Sequence, residues 1–418
     1  MIVASRAIET RLTPPVDRTK RGACGLAILI YCLLNVAAWH WLGPASELLN
    51  IASMSESNYT SPMYGTWTWW MVRGFLRQSM PPDVVLLGSS QVNAPSWAAD
   101  AHLTKKPVDC LEHREVTAFE QSLSSALGNA QLKVFNCAVQ GGIVSDYYII
   151  ERALFQERRT PRLVVLCVSP RDFMDNKVPS LNSTEPFRFF SRFADVGSLS
   201  NVAYPDLGSR SFALLEQLIS RLPLRNLNDC LVGLTRLVVG SERDAVRPNG
   251  GQTLTRALYT ANQQVKLGQF VVPVDMKDTF VDNTQEYVRR YANPRPVGLG
   301  VQLAVLKETL LDLKAKGCGV LLIEMPTMLS NRSLLPASFW REYRKSLADI
   351  CRDTATVEVD ISESNEFQQG DYVDTVHLND RGGLKFFATL ARIVAANEVL
   401  AKRLLSGRSI QPLDGSAQ

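Results

Sequence analysis

Val84-Val85-Leu86-Leu87-Gly88-Ser89-Ser90-Gln91 is the stretch on which the fold turns. Its four apolar residues run without a polar break and stop at a glycine and two serines. A strand with one wet face alternates apolar and polar side chains, so a short unbroken run points to a strand buried on both faces, as in a parallel sheet. Four more runs share this character: Leu132 to Asn136, Leu163 to Val168, Val320 to Glu324 and Thr356 to Ile361. Helical patterns separate them, at Glu115 to Leu127, at Asp146 to Gln156, and where Leu299, Leu303, Leu306, Leu310 and Leu313 recur at steps of four and three. Lys314-Ala315-Lys316-Gly317 closes the last of these with the cations and glycine that suit a helix C-terminus. Alternating β and α units predict an α/β domain built on a five-stranded parallel sheet.

Outward from this core, the segment 23–42 carries no charged side chain, and about 20 helical residues match a hydrocarbon layer of roughly 30 Å. Arg6, Arg11, Arg18, Lys20 and Arg21 precede it and Trp39 and Trp41 sit at its far end, which predicts a cytoplasmic N-terminus and an exported main domain. A cleavable signal is the other reading, but the charged leader is long and the apolar segment exceeds the usual core of such signals. The expected organisation is a cytoplasmic tail (1–22), a transmembrane anchor (23–42), a stem (43–81), an α/β domain (82–175 and 298–400), an insertion (176–297) and a C-terminal tail (401–418). The insertion is far too long for a plain connection, so it should carry structure of its own, as a lid or substrate-facing subdomain. Within it, Phe212 to Leu222 reads as an amphipathic helix with a core-facing stripe.

Composition narrows the classes. Of 418 residues, 21% are charged and 46% hydrophobic, which suits a folded globular chain. A net charge of +4 without a Lys/Arg run argues against nucleic acid as a partner. The eight cysteines form no CxxC pair and no metal-ligand spacing, so no metal or other cofactor is expected. Cys137 and Cys167 read as small buried hydrophobes, while Cys110, Cys230, Cys318 and Cys351 are free to pair in an oxidising compartment. No GxGxxG or GxxxxGK loop supports a phosphate-binding module.

Two motifs carry candidate chemistry. Ser90 stands where a parallel sheet presents side chains to the crevice at its carboxyl edge, although Gly-Ser-Ser there is also an ordinary turn and helix cap. Asp374-Thr375-Val376-His377 holds the one histidine with a partner pattern. His40 lies in the anchor, and His102 and His113 sit in a polar connector. On a turn, an Asp three residues ahead of a His can accept the Nδ1 hydrogen and leave Nε2 toward a serine, as a general base requires. The plainer alternative is an N-capping aspartate and a surface histidine.

Taken together, the Gly88-Ser89-Ser90-Gln91, Asn136-Cys137-Ala138-Val139-Gln140-Gly141, Ser169-Pro170-Arg171-Asp172-Phe173 and Asp374-to-His377 blocks resemble those of the SGNH (GDSL-like) hydrolase superfamily. The resemblance implies a flavodoxin-like three-layer sandwich, a triad of Ser90, Asp374 and His377, and an oxyanion hole at Ser90 and Gly141. The third block departs from the family, which carries an asparagine there, and Arg171 is either a substitute donor or half of a structural ion pair. Ser90, Gly141 and Arg171 are the expected oxyanion residues on that basis. The SPxxF form of this block is similar to the membrane-anchored envelope proteins of the superfamily, such as the D-alanyl transfer protein DltD and the alginate acetylation proteins. That likeness implies esterase or O-acyltransferase work on acylated cell-envelope or exported polysaccharide, with an acyl donor and a membrane acyltransferase as partners. A tethered glycan-binding or assembly protein that keeps the fold and has lost the activity is the other reading left open.

Overall fold

The computed structural model describes residues 29–37, 40, 66–178, 181–191, 193, 194, 199, 211, 250–261, 263, 265–274, 280–292 and 296–406. Seven strands occur in chain order among them: β1 (Val84–Leu87), β2 (Val108–Asp109), β3 (Val134–Asn136), β4 (Leu163–Val168), β5 (Val271–Val272), β6 (Gly319–Glu324) and β7 (Val357–Asp360). Five of them form a sheet in the order β3-β1-β4-β6-β7, with every neighbouring pair parallel. All five expected strands are present, each within two residues of the predicted limits at either end. Counting only these five, the spatial order is 2-1-3-4-5, the flavodoxin-like doubly wound arrangement.

The sheet is covered on both faces because its strands are apolar on both. Successive residues point to opposite sides, and this alternation is visible in how they pack. Val85, Leu87, Val164, Leu166 and Leu322 join one core cluster, with Tyr147 and Ile150 from the helix Val144–Leu154 and Leu306, Leu310 and Leu313 from the helix Pro296–Ala315. Val84, Leu86, Val165, Leu321 and Ile323 join the other, with Phe119 from the helix Thr117–Ala126 and Phe386, Phe387 and Leu390 from the helix Asp380–Ala396. Each fully buried Leu or Val contributes about 1.5–3 kcal/mol relative to exposure, so β4, with all six residues buried, is the most heavily secured strand. β7 lies at the edge, where its Glu358 and the terminal Asp360 keep one rim of the sheet charged.

Part of the expected stem belongs to the packed body. Residues Trp67–Leu76 form a helix whose N-cap Thr66 accepts from the Trp69 N–H at 3.2 Å. Met71, Val72, Phe75 and Leu76 enter the first core cluster, and Trp67 and Trp70 enter a third cluster with Ala94, Trp97, Leu254, Phe270 and Val373. The short antiparallel pair β2–β5 ties the insertion to the same region, Val108 facing Val272. At the other end, the helix Glu398–Leu405 runs past residue 400 and buries Leu400 and Leu404.

Of the expected anchor, residues 29–37 and 40 are described and are helical. No helix among the described residues is long and apolar enough to cross a membrane. The expected helix from Phe212 to Leu222 lies outside the described residues, as does Cys230. Cys110, Cys318 and Cys351 are buried free thiols, and Cys137 and Cys167 are buried as expected.

Candidate active site

β1 delivers Ser90. The strand ends at Leu87, Gly88 makes the turn, Ser89 takes the N-cap position, and Ser90 opens the helix Ser90–Thr104. Gly88 is required by close approach, since a Cβ there would come within 2.4 Å of the Val92 side chain and 3.2 Å of the Cys167 carbonyl. The Ser89 side chain makes no cap hydrogen bond, so the turn is not there to cap a helix with a hydroxyl. The Ser90 hydroxyl instead lies 2.8 Å from Nε2 of His377, a residue 287 positions away in the chain.

His377 is held by its own turn. Tyr372 and Leu378 bridge antiparallel, and the Val373 N–H donates to the His377 carbonyl at 2.9 Å, closing the segment between them into a tight loop. Inside that loop, Asp374 Oδ2 lies 2.7 Å from His377 Nδ1, while Oδ1 accepts from the backbone N–H groups of Val376 (2.9 Å) and His377 (2.8 Å). The following helix is capped by Asn379, which accepts from the Gly382 N–H at 3.0 Å. Asp374 is therefore not the cap, and His377, 2% exposed, is not a surface histidine. Burial alone would raise the Asp374 carboxyl, but the facing imidazole and the hydrogen bonds from His377 and Val376 outweigh it and hold the group below its ordinary value. A permanently ionised acid fixes the imidazole with its hydrogen on Nδ1 and its lone pair toward Ser90.

On the other side of Ser90 runs the loop after β3. Asn136 Oδ1 accepts from the Ala138 N–H at 2.8 Å, Asn136 Nδ2 donates to Asn93 Oδ1 at 2.9 Å, and Asn93 Nδ2 donates to the Ala138 carbonyl at 3.3 Å. This buried amide ladder stitches the loop to the helix that begins with Ser90. Gly141 follows with φ +68, a left-handed conformation that favours glycine. Among the described residues, the backbone N–H groups of Ser90 and Gly141 have no acceptor. Both are thus available to a ligand oxygen, one of them at a helix N-terminus.

Arg171 follows the end of β4 and is buried with its side chain 6% exposed. Its Nη1 donates to the Gly142 carbonyl at 2.7 Å and lies 3.3 Å from Asp172 Oδ1, and its Nε lies 3.4 Å from Asp175 Oδ2. Arg171 is therefore ion-paired, and its Nη2 lies 3.8 Å from where a Cβ on Gly141 would stand. Burial raises Asp172 to about 6, against the pull of Arg171 and the Ser169 N–H. Next to Ser90 and Gly141 in the chain, Gln91 Oε1 and both amide atoms of Gln140 are buried without a hydrogen-bond partner among the described residues. Polar atoms of that kind call for a water or a ligand.

Sequence reading missed the insertion's contribution. The Tyr259 hydroxyl donates to Asp374 Oδ2 at 3.1 Å and accepts from Asn283 Nδ2 at 2.6 Å, and Asn283 Oδ1 accepts from the Thr375 N–H at 3.1 Å. Neither residue sits in a motif, and their distance from Asp374 along the chain hides the contact. The connector histidines also have partners: His113 Nε2 lies 2.6 Å from Asp100 Oδ2, which in turn accepts from the Thr117 N–H, and His102 pairs with Asp380 at 3.0 Å. No group of three or more His, Cys, Asp or Glu among the described residues is placed to hold a metal.

No protein-family model matches the chain, and no curated protein matches it. Among solved structures it is similar to Axe2, an acetylxylan esterase from Geobacillus stearothermophilus, at 10% identity and a TM-score of 0.29 over 76% of this chain and 96% of that one. A catalytic mutant of Axe2 gives 10% identity and a TM-score of 0.30 over 75% and 95%. A further Axe2 mutant, described as an acetyl-xylooligosaccharide esterase, gives 11% and 0.31 over 76% and 96%. Scores at this level decide neither fold nor function, which rest on the geometry above.

Proposed function

We propose that the chain is a serine esterase or O-acyltransferase of the SGNH type, tethered to a membrane by its N-terminal segment and acting on acyl esters of envelope or exported polysaccharide. The observation that carries this reading is the unbroken line Ser90 Oγ, His377 Nε2, His377 Nδ1, Asp374 Oδ2, with its two links at 2.8 and 2.7 Å. His377 takes the Ser90 proton as the serine oxygen attacks the ester carbonyl, and returns it to the leaving alcohol, which leaves an acyl-enzyme. In this reading the N–H groups of Ser90 and Gly141 hold the oxyanion, and Arg171, where the family would carry an asparagine, is a third donor supported by the approach of its Nη2 to Gly141. Water as second acceptor makes the protein an esterase, and a sugar hydroxyl makes it a transferase.

Support for the tether is the charge-free segment 23–42 behind its basic leader, together with the exposed side chains of Leu29, Leu33, Leu34 and Val36 on the helical residues 29–37. Contiguous apolar surface of this kind needs a cover other than water. An acylated glycan or acyl donor, and a membrane acyltransferase that would supply the acyl group, are the partners this reading calls for. The test is labelling of the full chain in detergent with a fluorophosphonate probe. Wild type should label and Ser90→Ala should not, and His377→Ala should release no acetate from acetylated polysaccharide. Equal labelling of wild type and Ser90→Ala sinks the enzymatic reading and leaves a glycan-binding or assembly protein.

A further inference from the structure

The acid of the proposed triad has a partner that comes from outside the α/β domain. Asp374 Oδ2 receives two donors, His377 Nδ1–H and the Tyr259 hydroxyl, and the Tyr259 ring stands edge-on to the His377 ring with centroids 6.2 Å apart. We propose that Tyr259 is a positioning residue, delivered by the insertion, that fixes Asp374 and through it the orientation of His377.

The placement of Tyr259 is secured from two directions. Asn283, also in the insertion, donates to the Tyr259 oxygen and accepts from both the N–H and the hydroxyl of Thr375, so one amide clamps the tyrosine to the very turn that carries Asp374. With its oxygen already accepting from Asn283, the phenol has one direction left in which to donate, and Asp374 lies there. From the other side, the indole Nε1 of Trp67 donates to the Thr260 carbonyl at 3.0 Å and that of Trp70 to the Val265 carbonyl at 3.1 Å. The tryptophan helix therefore holds the segment that begins at Tyr259. Burial and the facing Asp374 carboxylate push the phenol up, which keeps the proton on it as a donor.

This inference rests on the proposed triad, and the test separates the two. With the full chain in detergent micelles and p-nitrophenyl acetate as substrate, Tyr259→Phe keeps the ring against His377 and removes only the donor. The expected result is a kcat about tenfold lower with KM unchanged, the scale of one hydrogen bond to a charged group. In an Asp374→Asn background the same substitution should cost less than about twofold, because a residue that acts through Asp374 has nothing left to act through. Wild-type kcat in Tyr259→Phe, a loss taken in KM, or a full tenfold loss in the Asp374→Asn background each overturns the inference. If Ser90→Ala hydrolyses the ester as well as wild type, the triad itself is wrong, a different failure.

Discussion

Replacing Asp374 by asparagine should cost about 10⁴ in kcat while leaving the fold in place, and the reason can be followed atom by atom. The carboxylate accepts four hydrogen bonds: the Val376 and His377 N–H groups on Oδ1, and His377 Nδ1–H and the Tyr259 hydroxyl on Oδ2. An amide of the same shape has one oxygen and one NH₂. With NH₂ at the Oδ1 position, it meets two backbone donors that cannot turn away. With NH₂ at the Oδ2 position only one donor, the Tyr259 hydroxyl, is displaced, and the imidazole can shift its proton, so this orientation wins. His377 then accepts at Nδ1 and carries hydrogen on Nε2, which points a donor at Ser90 in place of a base. The 10⁴ loss corresponds to about 5.5 kcal/mol of barrier. Hydrolysis of p-nitrophenyl acetate, with thermal melting to verify folding, measures it. An Asp374→Asn variant that is folded and within tenfold of wild type refutes the assignment of His377 as an acid-oriented base.

Gly141→Ala places a side chain at φ +68 and a Cβ 3.1 Å from that of Ala261, so the Gly141 N–H must move; on the proposed reading kcat should fall at least tenfold for about 1–2 kcal/mol of stability lost, read by kinetics and urea melts. Arg171→Met removes the cation between two buried carboxylates and should destabilise by about 3–5 kcal/mol, with a denaturant midpoint close to wild type counting against the buried ion pair. Glu324 is raised to about 8, first by burial and then by Asp360. Because the folded state holds this proton more tightly than the unfolded one, Glu324 costs stability progressively as pH rises from about 4.5 through 8. Glu324→Gln should therefore be near neutral at pH 4 and stabilising by on the order of 5 kcal/mol at pH 9, and the same shift in melting temperature at both pH values would contradict it.

The parts of this molecule that were legible in its sequence are those where one residue type has one physical use. Val84 to Leu87, short and unbroken, reads as a strand buried on both faces, and the leucine stripe from Leu299 to Leu313 reads as a helix against a core, so sheet and layers follow. Asp374 and His377 are close in the chain, so their pairing is a local matter of turn geometry. What stayed hidden is contact without a local signature. Tyr259 and Asn283 are ordinary residues until the insertion folds back on the Asp374 turn, and the two-residue strands β2 and β5 are too short to show any period. The Trp67–Leu76 helix was obscured for a different reason: its aromatics fit a membrane-proximal stem as readily as a core, and only tertiary packing distinguishes them.

The altered third block bears on what the site can accept. A lone arginine at the rim of the cleft would draw anionic substrates, but Arg171 is not alone. It faces Asp172 and Asp175; Asp175 is shared with Arg290, which pairs with Glu286, and Glu286 in turn takes Lys177. Three cations meet three carboxylates, so above the titration of Asp172, near 6, the network carries no surplus positive charge to steer an anion. What Arg171 retains is local: an Nη2 near Gly141, which on the proposed reading would serve an oxygen that becomes negative only as an ester is attacked. If the proposed function holds, a donor that engages only the developing charge lowers the barrier without tightening ground-state binding, and such an arrangement would favour an uncharged ester over an anionic acyl carrier at Ser90.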